Sequence, residues 1–174
     1  YQVALLAPTE VLARQHYESF TRLFSDTGHG IILFTGSYRL SDGHPTTRPS
    51  LLKAIEAGIP RIIIGTHALL QEDVVFDRLA LIVVDEQHRF GVSQRARLQE
   101  LSFNSQDGSR ELVPHFLSMT ATPIPRTLTL AFFGNLDLSL LDELPKDRKP
   151  IITRIGSSER DRQKIYEFIR SEIT

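Results

Sequence analysis

An apolar run ends abruptly in charge at Leu79-Ala80-Leu81-Ile82-Val83-Val84-Asp85-Glu86-Gln87-His88. A continuous aliphatic stretch of this length is typical of a parallel strand that is buried on both faces. Open parallel sheets place their ligand chemistry at the carboxyl ends of the strands. Mg²⁺ prefers carboxylate oxygens and retained waters, and a second carboxylate can orient a water for attack on a phosphoryl group. The run therefore predicts a buried strand that delivers Asp85 and Glu86 to a phosphoryl-transfer site.

A simpler interpretation is that Asp85 and Glu86 only cap the next helix or solvate a turn. Short acidic motifs match by chance, so the pair alone does not decide between the two interpretations. The residues Gln87-His88 directly after it, and the segment Met119-Thr120-Ala121-Thr122-Pro123 further along, favour the phosphoryl-transfer site.

Composition limits the possible functions. The 174 residues are enough for one domain with a sizeable core, and 41% hydrophobic with 24% charged residues is ordinary for a globular protein. The absence of cysteine excludes disulfides and cysteine metal sites, and the six histidines show no paired ligand spacing. No apolar run reaches the roughly 18 residues of a membrane span. A net charge of −1 means that any contact with nucleic acid must come from local groups.

Apolar strands alternate with amphipathic helices along the chain, which predicts an α/β domain with a mainly parallel sheet. One face of the first predicted helix carries Leu12, His16, Phe20, Leu23 and Phe24. We predict loops at 35–47 and 102–111. Strands are predicted at 2–7, 31–34, 61–64, 79–84, 116–119 and 138–141, and helices at 10–24, 50–57, 93–101 and 126–133.

A charged segment with two prolines lies at 144–150 and has no apolar periodicity, so it is predicted to be a linker. Residues 1–143 then form a first domain. Beyond the linker we predict a strand at 151–155 and a helix at 159–173, with Ser158 as its N-cap. The inward face of that helix is predicted to carry Ile165, Phe168, Ile169 and Ile173. One strand and one helix cannot bury a core, so 151–174 is expected to be the truncated start of a second domain.

Five blocks of sequence follow one another along the chain: Ala7-Pro8-Thr9-Glu10-Val11-Leu12-Ala13-Arg14-Gln15-His16, Thr35-Gly36-Ser37, Gly65-Thr66-His67-Ala68-Leu69, Asp85-Glu86-Gln87-His88 and Met119-Thr120-Ala121-Thr122-Pro123. In this order they resemble the motor core of superfamily 2 helicases. Residues 89–92, directly after the acidic box, and 124–128, after Pro123, are similar to RecG-type helicases and to the transcription-repair coupling translocase. Residues 141–145 and 148–150 resemble the RecG type more closely.

This resemblance implies a RecA-like fold of the P-loop NTPase type, with ATP and Mg²⁺ as cofactors. Asp85 would hold Mg²⁺, largely through water, and Glu86 would orient or deprotonate the attacking water. Gln87 and His88 would sense the γ-phosphate, and His88 would pass that state to the coupling residues Thr120, Ala121 and Thr122. The DNA-binding residues implied are Thr9, Arg14, Gly36, Ser37, Gly65, Thr66, His67 and Arg126.

Each implied DNA contact has a simpler alternative. Helix N-termini and hydroxyl groups are ready partners for phosphate, but Thr9 can also serve only as a helix cap. Gly36 and Gly65 can admit a DNA backbone or can be ordinary turn residues. Arg14, Arg39 and Arg126 can pair with phosphates or remain solvated on the surface.

The chain departs from the family in one respect, because it contains no G-x-x-x-x-G-K-[ST] phosphate-binding loop. It also begins at Tyr1 without methionine. We therefore expect a fragment that lacks the first strand and the P-loop of the fold and that does not hydrolyse ATP by itself. The parent protein is expected to be a cytoplasmic, bacterial-type ATP-dependent DNA helicase, without membrane contact, that remodels branched DNA in repair and recombination. The alternatives are the coupling translocase and a non-catalytic DNA-binding remnant, and protein partners stay unknown.

Overall fold

The computed structural model describes residues 1–86, 89–103, 113–121, 137, 139–143, 153 and 155–173. The chain divides into two compact units, Tyr1–Pro125 and Arg126–Thr174. The strands are β1 (Gln2–Leu6), β2 (Gly30–Phe34), β3 (Arg39–Ser41), β4 (His44–Pro45), β5 (Arg61–Gly65), β6 (Leu79–Asp85) and β7 (His115–Met119), and the helices are α1 (Glu10–Leu23), α2 (Arg48–Glu56), a 3-10 helix (His67–Leu70), α3 (Val92–Phe103) and α4 (Glu159–Ile173).

The first unit contains a seven-stranded sheet in the order β4-β3-β2-β5-β1-β6-β7. The neighbours from β2 to β7 in that order all pair in parallel, whereas β3 and β4 add an antiparallel extension beside β2. The predicted α/β fold with a mainly parallel sheet is therefore confirmed.

Both faces of the parallel strands are buried, as continuous aliphatic strands require. Successive side chains point to opposite faces, so Leu6 and Leu5 belong to different clusters. The α2, 3-10 and α3 segments cover one face through Leu51, Ile55, Leu69 and Leu98, and α1 covers the opposite face through Ala13 and Tyr17.

Helix α1 begins after Thr9, whose hydroxyl oxygen accepts a hydrogen bond from the Leu12 amide at 3.3 Å. The apolar face of α1 is shifted from the predicted one, because Leu23 is 72% exposed. The helical repeat of 3.6 residues instead turns Ala13 and Tyr17 into the core beside Leu12, Phe20 and Phe24.

The predicted loop at 35–47 is wrong, because this segment contains the β3–β4 hairpin. Ser41 pairs with His44 across a two-residue turn formed by Asp42 and Gly43. Both turn residues have positive φ, of 51° and 85°, which is the conformation that tight hairpins require. The predicted helix at 50–57 begins earlier, at Arg48, because Thr47 accepts from the Ser50 amide and Pro49 is tolerated in the first turn.

Helix α4 in the second unit has the predicted bounds. The Ser158 hydroxyl accepts from the Asp161 amide and the Ser158 amide donates to the Asp161 carboxylate, both at 3.2 Å, which is the reciprocal pairing of a capping box. The Ser158 hydroxyl also donates to that carboxylate at 2.7 Å. These bonds from Ser158 lower the pKa of Asp161. The predicted inward face is not buried within the described residues, since Ile165, Phe168, Ile169 and Ile173 are 39%, 63%, 44% and 79% exposed.

Of the other elements predicted after residue 101, some do not form within the described residues and others lie outside those residues. Residues 139–141 do not form the predicted strand, and neither 153 nor 155 is in a strand. Residues 102–103 belong to α3 rather than to a loop, because the helix continues through Phe103. The predicted helix at 126–133 and the predicted linker at 144–150 lie outside the described residues. Among the helices of the described part, none is both long and apolar enough to span a membrane.

Candidate functional site

The parallel register brings the ends of five strands to one edge of the sheet. Leu6 of β1 pairs with Gly65 of β5 and with Val84 of β6, and Gly65 also pairs with Phe34 of β2. Asp85 pairs with Met119 of β7. The predicted functional residues that follow these strands therefore lie along the same carboxyl edge, at positions Thr9, Gly36, Ser37, Gly65, Thr66, His67, Asp85, Glu86, Thr120 and Ala121.

Asp85 is the last residue of β6, and its side chain is 19% exposed. Its Oδ2 atom lies 2.8 Å from Nε2 of His16 on α1, which is a hydrogen-bonding distance. The sequence placed His16 on the apolar face of α1 but gave no reason to pair it with an acidic residue 69 positions away. The contact depends on how α1 packs beside β6.

Glu86 adopts an unusual backbone conformation, with φ of 50°. A residue with a side chain rarely adopts this left-handed conformation, which costs on the order of 1–3 kcal/mol and persists where surrounding contacts enforce it. Here the Glu86 amide donates to the Met119 carbonyl and the Glu86 carbonyl accepts from the Arg89 amide, both at 2.9 Å. The backbone is thus held on both sides of a half-buried carboxylate, and strain of this kind clusters at functional sites.

The coupling segment contacts Glu86 directly. The Thr120 hydroxyl, just after β7, donates to Oε2 of Glu86 at 3.2 Å. Thr120 and Ala121 are both exposed. Gln87, His88 and Thr122 lie outside the described residues, so the predicted contact of His88 with the threonines stays a prediction.

The two carboxylates fit a magnesium ion of one particular kind. Mg²⁺ in phosphate-transferring sites is commonly held by one or two carboxylates, with waters and substrate phosphates as the other ligands. Asp85 and Glu86 supply hard oxygen atoms at the sheet edge, and within the described residues no group of three His, Cys, Asp or Glu side chains could hold a metal by itself. The donor set therefore suits an ion that is bound partly through water and phosphate.

The first predicted DNA-contacting segment is joined to the second by an acidic side chain. Oε1 of Glu10, in the first turn of α1, accepts a hydrogen bond from the Ser37 amide at 2.8 Å. This backbone bond is the main reason that the pKa of Glu10 is lowered. A side chain at Gly36 would approach the same oxygen to 3.0 Å. No feature of the sequence indicated this contact of Glu10. The contact shows that the exposed turn at Gly36-Ser37 presents a backbone amide to a carboxylate.

The segment Gly65-Thr66-His67 combines packing with exposure. A Cβ atom at Gly65 would lie 2.1 Å from the Phe34 carbonyl oxygen, so strand packing alone requires glycine there. Thr66 is 2% exposed, and its hydroxyl has no hydrogen-bond partner among the described residues. His67 is exposed at the start of the 3-10 helix. Of the three residues, only His67 presents a side chain on the surface.

Two of the three arginines predicted to contact phosphate, Arg14 and Arg39, already have protein partners. Arg14 is exposed, lies 3.0 Å from Oε1 of Glu18 and packs over the Tyr38 ring at 5.7 Å. Arg39 donates to the Gly36 carbonyl at 2.9 Å. Exposed ion pairs of this kind contribute little to stability, so a phosphate can compete for Arg14. Arg126 lies outside the described residues.

Comparison with known proteins agrees with this geometry. The profile of the DEAD/DEAH box helicase family matches residues 1–131. The chain is 42% identical over 173 residues to the ATP-dependent DNA helicase RecG of Aquifex aeolicus, 44% over 172 residues to that of Treponema pallidum and 45% over 173 residues to that of Synechocystis sp.. These matches include 99% of this chain and 20%, 24% and 19% of the relatives.

The chain therefore spans about a fifth to a quarter of the length of the curated relatives that it matches. The predicted resemblance to RecG-type helicases is confirmed, and the parallel sheet is the RecA-like core that the resemblance implied. The chain belongs to the DEAD/DEAH box helicase family.

Proposed function

We propose that the full-length protein carrying this chain is an ATP-dependent DNA helicase that translocates on and remodels branched DNA. Branch migration and fork regression during repair and recombination, in the bacterial cytoplasm, are part of this proposal. The relatives named above support it through their own name, ATP-dependent DNA helicase RecG. The proposal concerns the full-length protein because the 174 residues contain no G-x-x-x-x-G-K-[ST] loop to cradle the phosphates.

The observation that carries the proposal is the geometry of Glu86. Its left-handed backbone is held by Met119 and Arg89, and its carboxylate accepts from Thr120. In the proposed reaction this carboxylate orients the attacking water and takes its proton. Asp85 holds Mg²⁺, largely through water, and the bound ion would neutralise charge on the phosphate oxygens. Gln87 and His88 sense the γ-phosphate.

The DNA backbone is proposed to run along the same carboxyl edge. Thr9, Gly36, Ser37 and His67 are exposed there, and the Ser37 amide already binds the Glu10 carboxylate. Phosphate contacts use such amides, hydroxyls and helix N-termini without reading base sequence. Arg14 adds a positive charge beside them, while Gly65, Thr66 and Arg126 complete the proposed set. Contacts of this kind position the motor on any DNA sequence.

The test is strand separation by the full-length protein. We expect ATP- and Mg²⁺-dependent separation of a four-way junction and a model fork, with much less activity on a linear duplex of the same sequence. Glu86→Gln should abolish separation and Glu56→Gln, at an exposed carboxylate on α2, should not. Displacement of a stalled RNA polymerase without action on junctions would instead favour the coupling translocase. DNA binding without ATP hydrolysis would favour a non-catalytic DNA-binding module.

A further inference from the structure

Among the described residues, only His16 has a side chain that is hydrogen-bonded to the carboxylate of Asp85. The imidazole and the carboxylate are 26% and 19% exposed, so the pair lies at the boundary between the core and solvent. A partly buried pair of this kind holds its geometry better than a solvated surface pair, which contributes little. The contact therefore restricts the direction in which the Asp85 carboxylate points.

A carboxylate that is held through one oxygen presents the other in a fixed direction. His16 contacts Oδ2 of Asp85, so Oδ1 is the oxygen that would bind a metal or its waters. Residues that hold metal ligands in this way commonly change metal affinity by about 10- to 100-fold when they are substituted. Packing of α1 alone does not require a polar group here, because Ala13 and Tyr17 already bury the helix against the sheet.

The first turn of α1 lies beside residues that are proposed to contact DNA. The cap of the helix is Thr9, and Glu10 in its first turn binds the Ser37 amide. His16 lies seven positions after Thr9, which is about 10 Å along a helix axis. Because one helix joins the two ends, a displacement of its first turn by DNA would reach His16 and, through it, Asp85.

We propose that His16 is a positioning residue that aims the Asp85 carboxylate at Mg²⁺ and makes metal affinity responsive to DNA at the start of α1. This inference rests on the proposed function above, because it takes Asp85 as the magnesium residue. It adds a second route between DNA and nucleotide, one that runs through α1 rather than through His88 and the threonines that follow β7.

The test compares two neutral amides at position 16 in the full-length protein. His16→Gln places its amide nitrogen close to the position of Nε2 and keeps the contact, whereas His16→Asn is shorter by one methylene and cannot reach. Mn²⁺ affinity is measured by electron paramagnetic resonance with ADP bound, with and without a branched DNA. Thermal unfolding without metal verifies folding, and His29→Asn, at an exposed histidine, is the matched control.

We expect His16→Gln and His29→Asn to bind Mn²⁺ as the wild type does. His16→Asn should bind about 10-fold or more weakly and should lose the effect of DNA on that affinity. Equal Mn²⁺ affinity in the Gln and Asn variants would overturn the positioning role, and an undiminished DNA effect in His16→Asn would overturn the route through α1. Absence of Mn²⁺ binding in the wild type would count against the proposed function itself, independently of how the variants compare.

Discussion

The two edges of the sheet treat their polar groups in different ways. At the amino edge, Gln2 is fully buried, donates to the Ile55 carbonyl at 2.6 Å and accepts from the Arg78 amide at 3.2 Å. Asp42 accepts from the Ile31 amide and pairs with Arg61 at 3.0 Å. These groups bond to one another, join β1 to α2 and to the residue before β6, and tie the hairpin to the sheet. Within the described residues, Nε of Arg61 is buried here without a partner. The chemistry of these groups is structural.

The carboxyl edge keeps its polar groups partly open. Asp85 and Glu86 are half-buried, the Glu86 backbone is strained, and the turn at Gly36-Ser37 is exposed. Open α/β sheets bind their ligands at this edge. Because the amino edge holds structural contacts and binding is proposed at the carboxyl edge, substitutions at the two edges should affect different measurements.

The largest effect is expected from the two carboxylates in the full-length protein. Glu86→Gln should lower ATP turnover by about 10²-fold or more, the usual contribution of a general base, with little change in nucleotide binding. Asp85→Ala should also abolish turnover, but through weaker Mg²⁺-ATP affinity. Binding of a fluorescent nucleotide during a Mg²⁺ titration separates the two. Equal loss of Mg²⁺-ATP affinity in both variants would contradict this division of roles.

At the amino edge, substitution of Gln2 is expected to lower stability strongly without changing turnover. Gln2→Ala leaves the Ile55 carbonyl and the Arg78 amide without their partner, which should cost about 2 kcal/mol or more. Hydrogen exchange of β1 in the full-length protein should accelerate about 30-fold or more, while turnover per folded molecule is unchanged. Gln15→Ala, at an exposed glutamine on α1, is the control. A fall in turnover without faster exchange would break the comparison between the edges.

An intermediate effect is expected from Thr120. Thr120→Val keeps the shape of the side chain but removes the hydroxyl that donates to Glu86, so about 1 kcal/mol of stabilisation is lost. Turnover should fall about 5-fold, and Thr120→Ser should restore it. Steady-state ATP hydrolysis in the presence of DNA measures both. If valine and serine behave alike, the hydroxyl does not support the Glu86 carboxylate.

The smallest effect is expected from protonation of Glu10 at acid pH, which removes its hydrogen bond with the Ser37 amide. Because the Ser37 amide lowers the pKa of Glu10, the folded protein favours the ionised carboxylate. The contact is therefore complete above the ordinary glutamate pKa, and it is lost as the pH falls through the lowered value in the folded state. Protection of the Ser37 amide from hydrogen exchange, corrected for intrinsic rates, should decline over that acid range. Protection in Glu10→Gln should be weaker near neutral pH and should not show this decline.

Local patterns were enough to predict most of the sheet. Aliphatic runs marked β1, β2, β5 and β6, because strands buried on both faces are predominantly apolar. The acidic pair after β6 could be placed at the carboxyl edge for the same reason. Helices α1 and α4 followed from apolar periodicity and from the caps Thr9 and Ser158.

The β3–β4 hairpin was missed although its signal was present. Asp42-Gly43 is among the strongest short hairpin signals, but the polar composition of the surrounding segment suggested a loop. The short strands bury little, so they lack the apolar pattern that marked the others.

Three features of the site depend on tertiary structure. The His16–Asp85 contact joins residues 69 positions apart and requires the docking of α1 beside β6. The left-handed backbone of Glu86 opposes the local preference of glutamate and is imposed by Met119 and Arg89. The bond from Ser37 to Glu10 joins the turn after β2 to the first turn of α1. No local propensity encodes such contacts.

We propose that the carboxyl edge of the full-length protein hydrolyses ATP in response to DNA. The most direct test of this proposal is phosphate release by the full-length protein with Mg²⁺-ATP, with and without a four-way junction, in the wild type and in Glu86→Gln. The account predicts strong stimulation by the junction in the wild type and at least about 10²-fold less phosphate release in the variant. Phosphate release that ignores DNA, or that survives Glu86→Gln at the wild-type rate, would contradict it.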